Sequence, residues 1–222
     1  MIVPERIVLA SNNKGKINEF EHYFAALSIE IVPQSRFTEK SVAETGLSFI
    51  ENALIKARFA SSQSNLPALA DDSGLCVTAL AGKPGIHSAR YAADQADQNV
   101  RISSQSTSNA DNINKLLDEM KDIPDDQRQA GFHCVLAFIR HTLDPLPIIC
   151  HGQWQGRITR SKHGKAGFGY DPIFQPEGYT CTAAELDLTE KNHISHRAQA
   201  MKILMENMTY TGSPVTFSVK PI

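Results

Sequence analysis

The sequence has little that would tie it to a thiolate metal centre, a membrane or nucleic acid. Its four cysteines, Cys76, Cys134, Cys150 and Cys181, are widely spaced and form no CxxC pair. Structural zinc sites and dithiol redox centres want closer pairs. The four read as reduced thiols, and Cys76 and Cys134 sit in apolar runs where cysteine acts as a small buried hydrophobe. No apolar run approaches the ~18 residues of a membrane span. The start, Met1-Ile2-Val3-Pro4-Glu5-Arg6, lacks the basic and then apolar character of a signal peptide. Neither sign of charge is in excess: 22 Lys and Arg stand against 24 Asp and Glu, a net charge of -2. Such a chain has no global attraction to nucleic acid or an anionic membrane, so any phosphate-binding surface must be a local cluster. A cytoplasmic protein with no nucleic-acid and no membrane partner is expected. Walker A and HExxH spacings are absent as well.

What is present is an ordinary globular composition, 41% hydrophobic and 21% charged over 222 residues. That length suits one domain over 1–222 with its own core, ending in a β-prone tail over 211–222. Arg6 to Ala10 is short, apolar and β-branched, and reads as a buried strand. Ser11-Asn12-Asn13 supplies N-cap residues for a helix carrying Ile17, Phe20, Phe24 and Leu27 at helical spacing. Ile29 to Val32 is a second strand. Strand, polar turn, helix and strand predict an α/β opening. A helix is predicted over Leu47 to Ser61, with Ile50, Ala53, Leu54 and Ala57 on its apolar face. A strand over Pro67 to Ala70 then leads into Asp71-Asp72-Ser73-Gly74. Lys83-Pro84-Gly85 is turn chemistry. Ser103 to Ser108 is a polar loop, and Ile113, Leu116, Leu117 and Met120 mark a helix. Phe132 to Ile139 is a central strand, with two further strands over Leu146 to Cys150 and Gln153 to Ile158. The last helix spans Thr189 to Met208.

Four constellations could carry chemistry. Ser11-Asn12-Asn13-Lys14-Gly15-Lys16 joins a strand to a helix N-terminus, where free N–H groups, two lysines and a glycine suit phosphate. Taken alone, such a segment is more often a plain N-cap with solvated lysines. Glu44, Asp71 and Asp72 gather carboxylates, the last two at the C-terminal end of a strand where ligands collect in open α/β sheets. Adjacent aspartates held ionised suit a cation, and magnesium prefers one or two carboxylates plus phosphate oxygens. The competing reading of Asp71-Asp72-Ser73-Gly74 is an Asx turn. Gly164 to Pro172 surrounds Phe168 and Tyr170 with glycines and could offer a nucleobase an aromatic face, or be a hairpin turn with tucked-in aromatics. Lys191, His193, Ser195, His196 and Arg197 open the last helix. Arg197 could read an oxo group or phosphate there, and positions 193 and 197 share a face, but a charged turn of this kind is more commonly a solvated helix start.

Together these segments resemble the inosine triphosphatase family, the non-canonical purine nucleoside triphosphate pyrophosphatases (XTP/dITP diphosphatases). The matching pieces run in family order through roughly residues 6 to 206. They are Leu9 to Lys16, Glu44 to Ala53, Ala70 to Leu75, Pro84 to Tyr91, Gly167 to Pro172 and Ile194 to Arg197. Two features depart from the pattern, a longer stretch over Ser103 to Ser108 and the tail from Thr211. The resemblance implies a two-lobed α/β fold with a long mixed β-sheet flanked by helices, the active site in the cleft between lobes, and a homodimer. It implies hydrolysis of ITP, dITP or XTP to the monophosphate and pyrophosphate with Mg²⁺. By position, Ser11, Asn12, Asn13, Lys14, Gly15, Lys16 and Lys56 would bind the triphosphate. Glu44 and Asp72 would hold metal, Asp72 would accept the proton of the attacking water, and Ser73 would contact substrate. Phe168, Gly169, Tyr170, Asp171, Lys191, His196 and Arg197 would surround the base. A relative acting on other nucleotides, or a nucleotide-binding module without turnover, is the alternative at this point.

Overall fold

A computed structural model describes residues 4–11, 14–25, 27–93 and 108–209. The expected Ser103 loop, up to residue 107, and the tail over 211–222 lie outside them. Six strands form one mixed sheet: β1 (Arg6–Leu9), β2 (Glu30–Pro33), β3 (Ala68–Val77), β4 (Gln129–Ile139), β5 (Ile148–Ile158) and β6 (Phe174–Pro176). Their order is β2-β1-β3-β4-β5-β6. β1 is parallel to β2 and β3, whereas β3 to β6 are successively antiparallel. The helices are α1 (Lys14–Ala25), α2 (Phe49–Ser64), α3 (Asn109–Glu119), α4 (Leu188–Ile194) and α5 (His196–Thr209). The expected α/β class with helices flanking a long mixed sheet is what the chain forms.

Strand alternation assigns the helices to faces. Leu69, Leu136 and Phe138 meet Phe20 and Phe24 of α1 and Met201 and Leu204 of α5. Their neighbours Ala68, Ala70, Val135 and Ala137 meet Ala53, Ala57 and Ala60 of α2 on the other face. A third cluster gathers Leu75, Val77, Phe132, Trp154, Tyr170 and Phe174 with Ile113 and Leu116 of α3. Between the first and third clusters, the same face of β3 carries Asp71 and Ser73. A polar interval therefore interrupts an otherwise apolar stripe.

Four predicted boundaries change. β3 does not end at Ala70 but continues through Asp71-Asp72-Ser73-Gly74 to Val77. These residues pair with Leu136, Val135, Cys134 and His133 of β4, which removes the Asx-turn reading. The two strands expected over Leu146–Cys150 and Gln153–Ile158 are one strand, β5. The expected last helix breaks at Ser195, whose backbone is extended at φ -64 and ψ 159. The shared face expected for His193 and Arg197 is lost with that break. Finally, α2 starts at Phe49, where Ser48 caps it by accepting from the Glu51 N–H. Its buried face is Asn52, Ala53, Ala57 and Ala60, and Ile50 is 45% exposed.

Candidate active site

β1 is short and meets β3 only through Val8↔Ala68 and Leu9↔Leu69. The aspartates of β3 thus lie mid-strand, just past the C-terminal end of β1. This corrects their expected placement at the end of their own strand, while keeping them where parallel strands gather ligands. Being consecutive in a strand, they point to opposite faces. Each meets the charges of the helices on its own side.

Asp71 faces α1 and α5. Its Oδ2 accepts from Arg197 Nε at 2.8 Å, its Oδ1 lies 3.2 Å from Lys16 Nζ, and Ser73 Oγ donates to Oδ1. The Asp71 side chain is 1% exposed. Burial alone would raise its carboxyl, but Lys16, Arg197 and Ser73 hold it well below the usual carboxylate range. Asp71, to which the resemblance gives no role, is therefore the anchor of two cations.

Asp72 faces α2. Its Oδ1 accepts from Lys56 Nζ at 2.6 Å, and the same ammonium donates to Asp71 O at 2.7 Å. Glu44 Oε1 lies 3.0 Å from Lys56 Nζ, so two carboxylates share one ammonium. Burial pushes the Asp72 carboxyl up, and the charges of Glu44 and Asp71 add to that against Lys56. Burial would raise Glu44 too, but Lys56 and Arg90 outweigh it. Glu44 sits on an irregular segment that is fastened to α2. There Gly46 N–H donates to Asn52 Oδ1 at 2.9 Å and Leu47 N–H to Glu51 Oε2 at 2.8 Å.

Phe168 sits apart from these carboxylates and is 57% exposed. Lys191 Nζ and the Arg197 guanidinium carbon lie 5.0 Å and 6.0 Å from its ring centroid. The turn that presents it is built around Asp171, which is buried. Asp171 Oδ2 accepts from the Phe168 N–H at 2.7 Å and pairs with Lys191 at 2.5 Å. Gly167 has φ +79, and a Cβ there would collide with the Asp171 carboxylate, so glycine is required. Gly169 lies in the same turn at φ +58. Tyr170 turns inward instead, is 3% exposed, and donates to Ser88 O at 2.9 Å.

His196 stacks on Phe132 with centroids 5.0 Å apart and an interplanar angle of 12°. It is 6% exposed, and its Nδ1 has no hydrogen-bond partner. Burial and the neighbouring Arg197 lower it to about 3, so the imidazole is neutral at physiological pH. Gly152 of β5 allows this close docking, since a Cβ there would strike the backbone of His196 and Ala200.

Of the residues singled out in the sequence, Lys16, Glu44, Lys56, Asp71, Asp72, Ser73 and Arg197 form one ion-pair and hydrogen-bond network. Phe168, Asp171 and Lys191 form a second group, and Arg197 bridges the two. Ser11 lies two residues past the end of β1, and Lys14 and Gly15 open α1. Asn12 and Asn13, with the Lys14 side chain, lie outside the described residues. Arg90 was given no role, yet its Nη2 lies 3.7 Å from Glu44 Oε2. A charged residue between Ala89 and Tyr91 in a glycine-led turn was the available signal. Among the described residues no group of three or more His, Cys, Asp or Glu could hold a metal. Two hard carboxylates around one ammonium do suit a magnesium ion that keeps waters and takes further oxygens from phosphate.

The family model described as the Ham1 family matches residues 7–207. The dITP/XTP pyrophosphatase of Shigella flexneri is 50% identical over 202 residues, covering 91% of this chain and 97% of that one. A solved HAM1 protein from Coxiella burnetii superposes with a TM-score of 0.84 at 46% identity, covering 93% and 99% of the two chains. The Staphylococcus aureus Ham1 protein gives 0.79 at 37% identity, with 91% and 97% covered.

Proposed function

The chain belongs to the Ham1 family, and from that premise we propose that it hydrolyses non-canonical purine nucleoside triphosphates to the monophosphate and pyrophosphate. The observation that carries the reading is the continuity of the site. One run of contacts leads from exposed Phe168 through Arg197 to Asp71, whose backbone carbonyl meets Lys56, and from Lys56 to Asp72 and Glu44. An aromatic surface at one end and a carboxylate–cation cluster at the other match a base joined to a polyphosphate.

In this reading the substrate lies just past the C-terminal end of β1, where β3 runs on without it and turns Asp71 to one side and Asp72 to the other. Ser11 to Lys16 take up phosphate oxygens at the start of α1, where N–H groups and positive charge converge. Glu44 and Asp72 would hold Mg²⁺, which when bound neutralises phosphate charge. Asp72 orients the attacking water and takes its proton at a carboxylate oxygen. Water oxygen bonds to the α-phosphorus, the α–β phosphoanhydride bond breaks, and its electron pair leaves on pyrophosphate. Lys56, already in contact with Asp72, steadies that carboxylate and offsets negative charge nearby. Phe168 stacks on the base, with Lys191 and Arg197 supplying positive charge beside it. The unpartnered Nδ1 of neutral His196 is a candidate donor to a purine 6-oxo group. Adenine offers an amino group there, so the donor would stay unpaired, which discriminates strongly.

A cytoplasmic homodimer belongs to the same proposal. Four free thiols suit a reducing compartment. Leu47 at 86% exposure and Ile50 at 45% provide apolar surface for a second copy. No described helix is long and apolar enough to cross a membrane. Turnover of dITP in isotopically labelled water tests the chemistry. The label should appear in the monophosphate; label in pyrophosphate, or orthophosphate as the first product, would refute attack at the α-phosphorus.

A further inference from the structure

Arg90 lies outside every role given above. It ends the 3-10 turn Gly85–Arg90, which is held from two sides. Ser88 Oγ accepts from the Leu75 N–H of β3 at 2.9 Å, and the Tyr170 hydroxyl donates to Ser88 O at 2.9 Å. The turn that presents Phe168 and the turn that carries Arg90 are thus joined through Tyr170.

The guanidinium reaches the carboxylate cluster without bonding to it. Nη2 is 3.7 Å from Glu44 Oε2, beyond hydrogen-bond reach, while Glu44 Oε1 is already taken by Lys56 at 3.0 Å. Nε and Nη2 are both buried, and neither meets a hydrogen-bond acceptor among the described residues. They are the two donors of one guanidinium edge, the edge that grips two oxygens of a carboxylate or phosphate side by side. The other described cations of the site are committed to carboxylates. Lys16 and Arg197 hold Asp71, Lys56 holds Asp72 and Glu44, and Lys191 holds Asp171. Buried donors almost always have partners, and charged ones are the costliest to leave without. Two such donors on one edge, set at the rim of a cationic site by a turn fastened at both sides, are preorganised for an acceptor that arrives from outside the protein.

We propose that the Nε–Nη2 edge of Arg90 is a receiving fork for two oxygens of the substrate's polyphosphate and of the pyrophosphate product. The inference rests on the proposed triphosphate chemistry for its ligand, but its test does not depend on turnover. It also makes Arg90 unlike a structural arginine. Removing donors that lack partners should leave the ligand-free fold intact, whereas removing a strut for Glu44 should weaken it.

The test compares wild type, Arg90→Met and Arg90→Lys by thermal unfolding against inorganic pyrophosphate with magnesium, and by KM for dITP. Arg90→Met should keep the ligand-free Tm within about 2 °C, since an apolar side chain of similar shape replaces unpaired donors. It should need about 10- to 100-fold more pyrophosphate for the same rise in Tm, with a KM increase of the same order. Arg90→Lys, a point charge without the fork, should fall between the two. Equal pyrophosphate responses in wild type and Arg90→Met would overturn the proposal, as would a wild type that pyrophosphate does not stabilise. A lowered ligand-free Tm with unchanged pyrophosphate response would identify a strut for Glu44 instead. Should Arg90→Met fail to fold, an Arg90→Lys response equal to wild type overturns the fork. Pyrophosphate binding that depends on Arg90 in a protein that does not turn over dITP would keep the fork and remove the proposed reaction.

Discussion

Asp71→Asn isolates the part of the site that the sequence undervalued. The substitution keeps the shape of the side chain and removes its charge. Arg197, whose side chain is 6% exposed, then loses the carboxylate at 2.8 Å, and Lys16 loses one partner at 3.2 Å. Breaking a buried ion pair from one side costs about 3–5 kcal/mol, because the remaining charge stays desolvated. For a chain of this length each kcal/mol moves Tm by about 2–4 °C, so a fall of roughly 6–20 °C is expected. Thermal unfolding followed by circular dichroism measures it. The sign of the pH dependence follows from the lowered carboxyl of Asp71. Its folded-state value lies below the unfolded ~3.9, so its stabilisation is full above that value and is lost as pH falls through the folded one. Asp71→Asn should accordingly flatten the acid limb of the stability curve. The double variant Asp71→Asn/Arg197→Met should be more stable than the two single losses predict when added, since neither member of that pair is then left facing a vacated partner. A single-variant Tm within about 2 °C of wild type would refute the claim that Asp71 anchors Arg197.

Asp72→Asn should lower kcat by about 10²- to 10⁴-fold while the fold survives; near-normal turnover would remove Asp72 as the proton acceptor. Magnesium should raise the Tm of wild type and not of Glu44→Gln/Asp72→Asn, and equal shifts in both would contradict a carboxylate metal site. His196 is lowered to about 3 by burial and Arg197, below the unfolded ~6.5. Its contribution is therefore full above pH ~6.5 and declines as pH drops toward the folded value; His196→Phe should reduce that slope in urea titrations taken across the range. Gly167→Ala, at φ +79 and against the Asp171 carboxylate, should cost about 1–3 kcal/mol and raise KM for nucleotide by displacing Phe168. An unchanged KM would separate that turn from substrate binding.

Much of this architecture was written in local patterns. The short apolar strands and the helical spacing of Phe20 and Phe24 correspond to observed elements. The glycines around Phe168 marked a turn with special backbone demands, and Gly167 meets them. The errors have a common origin. Asp71-Asp72-Ser73-Gly74 has the composition of a turn, but its neighbours keep strand alternation. Leu69, Leu75 and Val77 continue one stripe across the polar interval, and pairing with β4 overrides local preference. The break at Ser195 was invisible because Ile194, Ala198 and Met201 preserve a helical spacing across it. What sequence could not supply was orientation. Asp71 and Asp72 looked like one acidic pair, whereas the sheet turns them to opposite faces and gives them different helices as partners. The fork of Arg90 was hidden for the same reason, since only packing shows which of its donors lack acceptors.

The central claim is tested most directly by a nucleotide panel, with pyrophosphate and orthophosphate detected separately in the presence of magnesium. Release of pyrophosphate from ITP, dITP or XTP, with much slower turnover of ATP and GTP, is the predicted result. Equal rates on ATP, or orthophosphate as the first product, would contradict the account.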